Sequence, residues 1–313
     1  MITILYGIKD DYSDVTRKAH LLSTNNIIII PANDVNRAEL FGDPHPNILK
    51  HILIKTVCDG NQSEILYNND QKIVIDFTKY KISFEKNWYD YSIPDAKKRL
   101  SHIHTNLFLK YGNFWEEYPE QLMTVTHLGK NNKVLEIGGN IGRNTLVIAT
   151  ILENDKNLVT LEPHPDIVKQ LEHNKAINNY TFNIENAALS YRKLIQKGWE
   201  SYPGELAVND LSFSEAGFIN INTITFEELE IKYDIIFDTI IADCEGALYY
   251  ILQDNPNILD NIKLFITEND YQDINHKNFI DNLLREKQFE RIYFAGMGWG
   301  PCKDFFYEVW KKN

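Results

Sequence analysis

Short runs of β-branched residues fill the first eighty positions of this chain. Ile2–Tyr6, Ile27–Ile30, Ile48–Ile54 and Ile73–Phe77 have the composition of strands, and clusters rich in Gly, Pro and Asn separate them. Pro31-Ala32-Asn33-Asp34 and Phe41-Gly42-Asp43-Pro44-His45-Pro46 are the clearest breaks, and Asp59-Gly60-Asn61 and Asn68-Asn69-Asp70 suit hairpin turns. With no long helical period among them, residues 1–80 predict a small β-rich module, an antiparallel sheet or sandwich. After residue 80 the period changes. Asp95–Tyr111 carries Leu100, Ile103, Leu107 and Leu109 at helical spacing, and Pro94-Asp95 stands where a helix would start. Pro119–Leu128 predicts a second helix, ended by Gly129. Residues 81–130 are therefore expected to form a helical connector leading into a third region, 131–313.

That third region alternates strand and helix. Val134–Ile137, Leu158–Leu161, Thr181–Glu185, Thr223–Phe226, Thr239–Ala242 and Leu264–Glu268 are strand-like. Asn144–Leu152, Asp166–Asn178, Phe226–Glu230, Leu248–Leu252 and Phe279–Lys287 are helix-like, and Arg291–Ala295 with Phe305–Val309 suggests a closing hairpin. Such alternation predicts an α/β domain whose parallel sheet is covered on both faces and binds its ligand at the carboxyl ends of the strands. By analogy of fold, a terminal antiparallel hairpin on that sheet resembles the class I methyltransferase, or Rossmann-like, fold.

Composition narrows the partners. The 313 residues are 43% hydrophobic and 24% charged, enough to bury a core. The net charge of -12 and the absence of a Lys/Arg stripe exclude a general nucleic-acid binder, which needs cations to displace phosphate counterions. Lys97-Lys98-Arg99 reads as a solvated helix face. Cys58, Cys244 and Cys302 lie far apart in no metal-ligand spacing, which suits a reducing compartment. The N-terminal residues lack the pattern of a secretory signal and no apolar run reaches membrane-spanning length, so a cytoplasmic location without membrane association is expected.

The chemistry concentrates in four places. Lys133–Gly142 is a strand, a Gly-rich turn and a helix start. Its glycines allow close backbone approach, and the helix N-terminus offers N–H groups and a favourable dipole to a carboxylate. Glu162 ends the next strand, twenty positions after Gly142, where a carboxylate can accept the ribose hydroxyls of an adenosine. Glu185-Asn186-Ala187-Ala188-Leu189 could line an adenine pocket or simply end a strand. Ile241-Ala242-Asp243-Cys244-Glu245-Gly246-Ala247 puts Asp243 at a strand end over the cleft and Glu245 in the turn after it. A dinucleotide fingerprint would require a third glycine at position 143, which holds Arg143. That favours S-adenosylmethionine over NAD.

In this order the pieces resemble the FkbM family of methyltransferases. Those that match are Leu135-Glu136-Ile137-Gly138-Gly139-Asn140-Ile141-Gly142, Glu162-Pro163-His164-Pro165, Asn174, Asn178, Ala187-Ala188-Leu189-Ser190 and Asp243-Cys244-Glu245-Gly246-Ala247. They span Glu117 to Tyr271 and leave residues 1–80 uncovered. Leu248 stands where the family usually has an acid, and Glu136 and Gly139 stand where Asp and Ala are frequent. The resemblance implies S-adenosylmethionine as cofactor, held by Glu136, Gly138, Gly139, Asn140, Gly142, Glu162, Pro163, Asn186, Ala187 and Asp243. It also implies methyl transfer to hydroxyls, often of sugars. Chains with a similar catalytic half and this composition resemble proteins of giant DNA viruses, which would make the compartment a host cytoplasm.

A sugar hydroxyl needs a base, and Asp243 is the first candidate, with Glu245 and Glu268 behind it. His164, His173 and His276 fit surface or packing roles better. Asp243, Glu245, Glu268 and Asp270 could instead hold Mg²⁺ through oxygen ligands. Within Gln196–Gly217 and just after it, Trp199, Tyr202, Phe213 and Phe218 could cap an acceptor or pin the loop to the core. The expected acceptor is a sugar, in a glycan or a nucleotide sugar. Phenolic or polyketide hydroxyls are the rival, as is a glycan-binding protein that retains the cofactor fold without turnover.

Overall fold

The computed structural model describes residues 2–58, 61–69, 71–86, 95–203, 217–296 and 298–312. The chain forms two compact units, Met1–Phe108 and Leu109–Asn313. In the first, β1 (Ile2–Ile8), β2 (Asp11–Asp14), β4 (His51–Cys58) and β5 (Asn61–Tyr67) build one sheet in the order β2-β1-β4-β5. A second sheet, β3-β6-β7, comes from Ile27–Ile30, Gln71–Asp76 and Lys81–Lys86. Alternate residues Ile2, Ile4, Tyr6, Ile28, Ile30, Ile52, Ile54, Ile73 and Ile75 are buried in one shared core, so the two sheets form a sandwich. Helices α1 (Thr16–Leu22) and α2 (Asp34–Phe41) and, later, α3 (Ala96–His104) also belong to this unit.

The two compact units divide at 108/109. Lys81–Lys86 is a strand because it pairs in register with Gln71–Asp76, Ile75 facing Ile82. Of the two turns expected from sequence, the first joins a true hairpin, with Cys58 opposite Asn61, although Asp59 and Gly60 lie outside the described residues. Asn68 and Asn69 instead lead from one sheet to the other, and Asp70 lies outside the described residues.

The second unit opens with α4 (Tyr118–His127). A seven-stranded sheet follows, built from β8 (Val134–Ile137), β9 (Leu158–Leu161), β10 (Asn183–Glu185), β16 (Thr239–Ala242), β17 (Leu264–Glu268), β18 (Phe289–Ala295) and β19 (Tyr307–Lys312). Its order is β10-β9-β8-β16-β17-β19-β18, parallel except for β19, which runs antiparallel to both neighbours. This is the class I methyltransferase arrangement, a Rossmann-like sheet closed by an antiparallel strand. The central strands are buried along their length, as a sheet covered on both faces requires. Leu135, Ile137, Val159, Leu161, Ile240, Ala242 and Phe265 face a core that includes Leu229, Leu248, Leu252, Ile280 and Leu284. These come from α7 (Phe226–Tyr233), α8 (Leu248–Asp254) and α9 (Ile274–Glu286). The alternate strand residues, Glu136 among them, point to the opposite face, where α4 packs against α5 (Arg143–Ile151).

The chain runs β8 to β9 to β10 in one direction across the sheet and then returns to β16 on the other side of β8. The strand order thus reverses between β8 and β16, the place where open α/β sheets bind ligands. The stretch between β10 and α7, expected to be a polar loop before the strand Thr223–Phe226, contains two small sheets. One pairs β11 (Ala188–Leu189) with β15 (Thr223–Ile224), and the other is a three-stranded piece made of β12 (Leu194–Lys197), β13 (Glu200–Pro203) and β14 (Ile219–Ile221). Among the described residues no helix is long and apolar enough to cross a membrane.

Candidate active site

The turn after β8 is fixed by close backbone contact. Gly138 has φ +91, and a Cβ there would stand 1.6 Å from the carbonyl oxygen of Asp243. Asp243 N donates to Ile137 O at 3.0 Å, so the ends of β8 and β16 are locked face to face. Gly142 has φ +97, and a Cβ there would meet Leu171 at 2.5 Å. The turn's amides are used internally. Gly138 and Gly139 both donate to Leu161 O, Asn140 donates to Glu162 Oε2, Ile141 to its neighbour's Oδ1 and Gly142 to Gly139 O. The turn's own amides are thus engaged within the protein, and at the helix start the Asn144 N–H reaches Glu117. Side chains line the pocket instead.

Glu162 ends β9 as expected and is 4% exposed. Its Oε1 accepts from His164 N at 2.8 Å and its Oε2 from Asn140 N at 3.0 Å. Burial pushes its carboxyl up to about 7, against the pull of those two amides and with a further push from the charge of Glu117. Asn186 donates through Nδ2 to Glu162 O and Pro163 O, both at 3.0 Å, which ties the third strand's end to the second's. Ala187 is buried beside it, while Glu185 is taken by Lys232 and Tyr233. Glu136 is buried inside the sheet face and accepts from Thr145 Oγ1 at 2.6 Å, and burial pushes its carboxyl up to about 7.

At the switch point lies a pocket of about 320 Å³ including its mouth, lined by Glu117, Glu120, Glu136, Asp243 and Glu268 together with Asn144. Glu117 pairs with Arg143 at 2.7 Å, and burial still pushes its carboxyl up to about 7. Arg143, at the position of the missing glycine, also contacts Glu116 and Asn113 O, so its charge is already engaged. Glu120, Asp243 and Glu268 each place one oxygen within 4.8 Å of the other two. The carboxyl of Asp243 is held well above the usual range although its surface is partly open. Desolvation is the first cause, followed by the charges of Glu117, Glu120, Glu245 and Asp270. Glu268 is raised by burial, by its hydrogen bond with Glu120 and by the charge of Asp243.

The expected four-acid cluster of Asp243, Glu245, Glu268 and Asp270 is thus revised. Asp243 and Glu268 converge, but Glu245 sits in a left-handed turn at φ +51 with its side chain exposed, and Asp270 lies beyond the end of β17. Neither contributes to the close trio, whose third member is Glu120. Sequence reasoning missed Glu117 and Glu120 because α4 read as a connector; two acids three positions apart at the N-terminal end of that helix were the available signal. The three histidines have structural roles. His164 caps α6 (Pro165–Ile177), His173 meets Tyr111 edge-on, and His276 stacks on Tyr249 at 3.7 Å. Trp199 is exposed and Tyr202 packs on Phe218, while Phe213 lies outside the described residues.

No protein-family model matches the chain, and no curated protein does. Among solved structures it is similar to a ribosomal protein L11 methylase from Lactobacillus delbrueckii subsp. bulgaricus, at 13% identity over 66% of this chain and 82% of that one, with a TM-score of 0.41. An O-methyltransferase from Bacillus cereus, in complex with SAH, is 14% identical over 71% and 92%, with a TM-score of 0.38. A precorrin-6y C5,15-methyltransferase from Geobacter metallireducens is 11% identical over 61% and 88%, with a TM-score of 0.35. Likeness at this level carries no argument about activity. The fold assignment rests on the strand order described above.

Proposed function

We propose that this protein is an S-adenosylmethionine-dependent O-methyltransferase. One observation carries the reading: the switch-point pocket is walled by five carboxyl groups, and its acceptor Asn144 Oδ1 is buried without a hydrogen-bond partner. Such a wall favours a ligand that brings positive charge and donors, as the sulfonium and ammonium of S-adenosylmethionine do. It opposes the pyrophosphate of NAD, and Arg143, the cation at the turn, is already held by Glu116 and Glu117. The residues present therefore fit the cofactor. Glu162 would accept the ribose hydroxyls, Asn144 and Glu117 would face the ammonium, and Asn186 and Ala187 would lie beside the adenine.

When bound, the cofactor supplies an electrophilic methyl group. The chain's own task is to hold an acceptor oxygen in line with it and to remove the hydroxyl proton. Asp243, at the end of β16 against the Gly138 turn, is the residue we assign to that proton. Glu162→Ala is expected to weaken S-adenosylhomocysteine binding by about 1–3 kcal/mol, as loss of a charged hydrogen-bond acceptor does, measured by calorimetry.

We further propose a sugar hydroxyl as the acceptor and an FkbM-like chain working in the cytoplasm. The motif order supports the family, and the net charge of -12 disfavours a polyanionic acceptor. A transfer assay with labelled cofactor across sugars, nucleotide sugars, oligosaccharides, phenols, RNA oligomers and peptides tests this. Label on a sugar supports it; label on RNA or peptide alone overturns the acceptor and leaves methyl transfer standing.

A further inference from the structure

We propose that Glu120, Asp243 and Glu268 form a seat for one divalent, oxygen-seeking cation of the Mg²⁺, Mn²⁺ or Ca²⁺ kind. This deepens the reading above at the same site, and its test separates the two. The geometry is the first argument. One oxygen from each residue lies within 4.8 Å of the other two. Bonds of about 2.0–2.6 Å to a common ion put neighbouring ligand oxygens about 3–4 Å apart and opposite ones about 4–5 Å apart, so small side-chain movements bring all three oxygens onto a single ion.

Burial is the second argument. Glu120 is 6% exposed, lines the pocket and leaves Oε2 with no hydrogen-bond partner. A buried carboxylate oxygen without a donor is costly, so such an oxygen marks a missing partner. Among the described residues no Lys, Arg or His forms an ion pair with any of the three. Three carboxylate oxygens leave open positions on a six-coordinate ion, and an acceptor hydroxyl or diol would occupy them. The second oxygen of Asp243 stays available for the acceptor's proton. The device comes from three separate elements, with Glu120 on α4, Asp243 after β16 and Glu268 ending β17.

The test uses the full-length protein, stripped with EDTA and titrated with Mn²⁺. Loss of the free Mn²⁺ paramagnetic signal should show one ion bound per chain, and Mn²⁺ should raise the melting temperature. Glu120→Gln and Glu268→Gln should each lower Mn²⁺ affinity by about tenfold or more. If one variant fails to fold, the other serves. Binding that both variants leave unchanged, or no bound Mn²⁺ at millimolar concentration, overturns the proposal and leaves a proton shared between Glu120 and Glu268 as the occupant. S-adenosylhomocysteine binding to the EDTA-treated protein is measured alongside. Its loss would sink the methyltransferase reading while leaving the cation seat intact.

Discussion

Replacing Asp243 by Asn is expected to leave a folded protein that binds cofactor but transfers methyl groups on the order of 10²–10⁴ times more slowly. The position is held by its backbone: Asp243 N bonds to Ile137 O, and its carbonyl oxygen fills the space a side chain at Gly138 would need. An asparagine keeps both contacts and the same shape but cannot take a proton from a hydroxyl. The substitution also removes a negative charge from beside Glu117, Glu120, Glu245 and Asp270. The variant should therefore melt no lower than the parent. Lost turnover with undiminished stability identifies a functional carboxylate, since a merely structural one would lower both. An unchanged rate would move the proton to Glu268 or Glu245.

Glu308→Gln should have the largest effect on stability, a loss of about 3–5 kcal/mol. Glu308 is 1% exposed and accepts from Arg291 at 2.7 Å, Lys277 at 2.9 Å, Trp310 Nε1 at 3.1 Å and Asn269 Nδ2 at 3.2 Å. Removing its charge leaves Asp281 as the one carboxylate paired with the buried ammonium of Lys277 among the described residues. For a unit of this size each kcal/mol is worth roughly 2–4 °C, so the melting temperature should fall by roughly 6–20 °C. A fall of less than a degree would show that the network contributes nothing. The effect also bears on the site: Asn269, which Glu308 helps to hold, follows Glu268 directly and fixes the end of β17 through its bond to Phe306 O.

The sheet of the second unit was legible because its central strands are short, apolar runs bounded by turns. Val134–Ile137, Leu158–Leu161, Thr239–Ala242 and Leu264–Glu268 stand where the pattern put them. Glu162 was legible from its spacing to the glycine turn, and Asp243 from its place at a strand end. Other features were hidden for physical reasons. Lys81–Lys86 is mostly polar or charged and becomes a strand through its partner Gln71–Asp76, a non-local pairing that local composition does not report. The helices Thr16–Leu22 and Asp34–Phe41 are barely two turns long, too short to show a period. Glu120 was hidden because a buried acid on an amphipathic helix looks like a solvated one until the sheet it covers is known.

The central claim is that the switch-point pocket binds S-adenosylmethionine and not NAD, and calorimetry on the full-length protein tests it most directly. The account predicts one site for S-adenosylhomocysteine, with affinity lost in part on Glu162→Ala, and no heat with NAD. Clear binding of NAD with none of S-adenosylhomocysteine would contradict it.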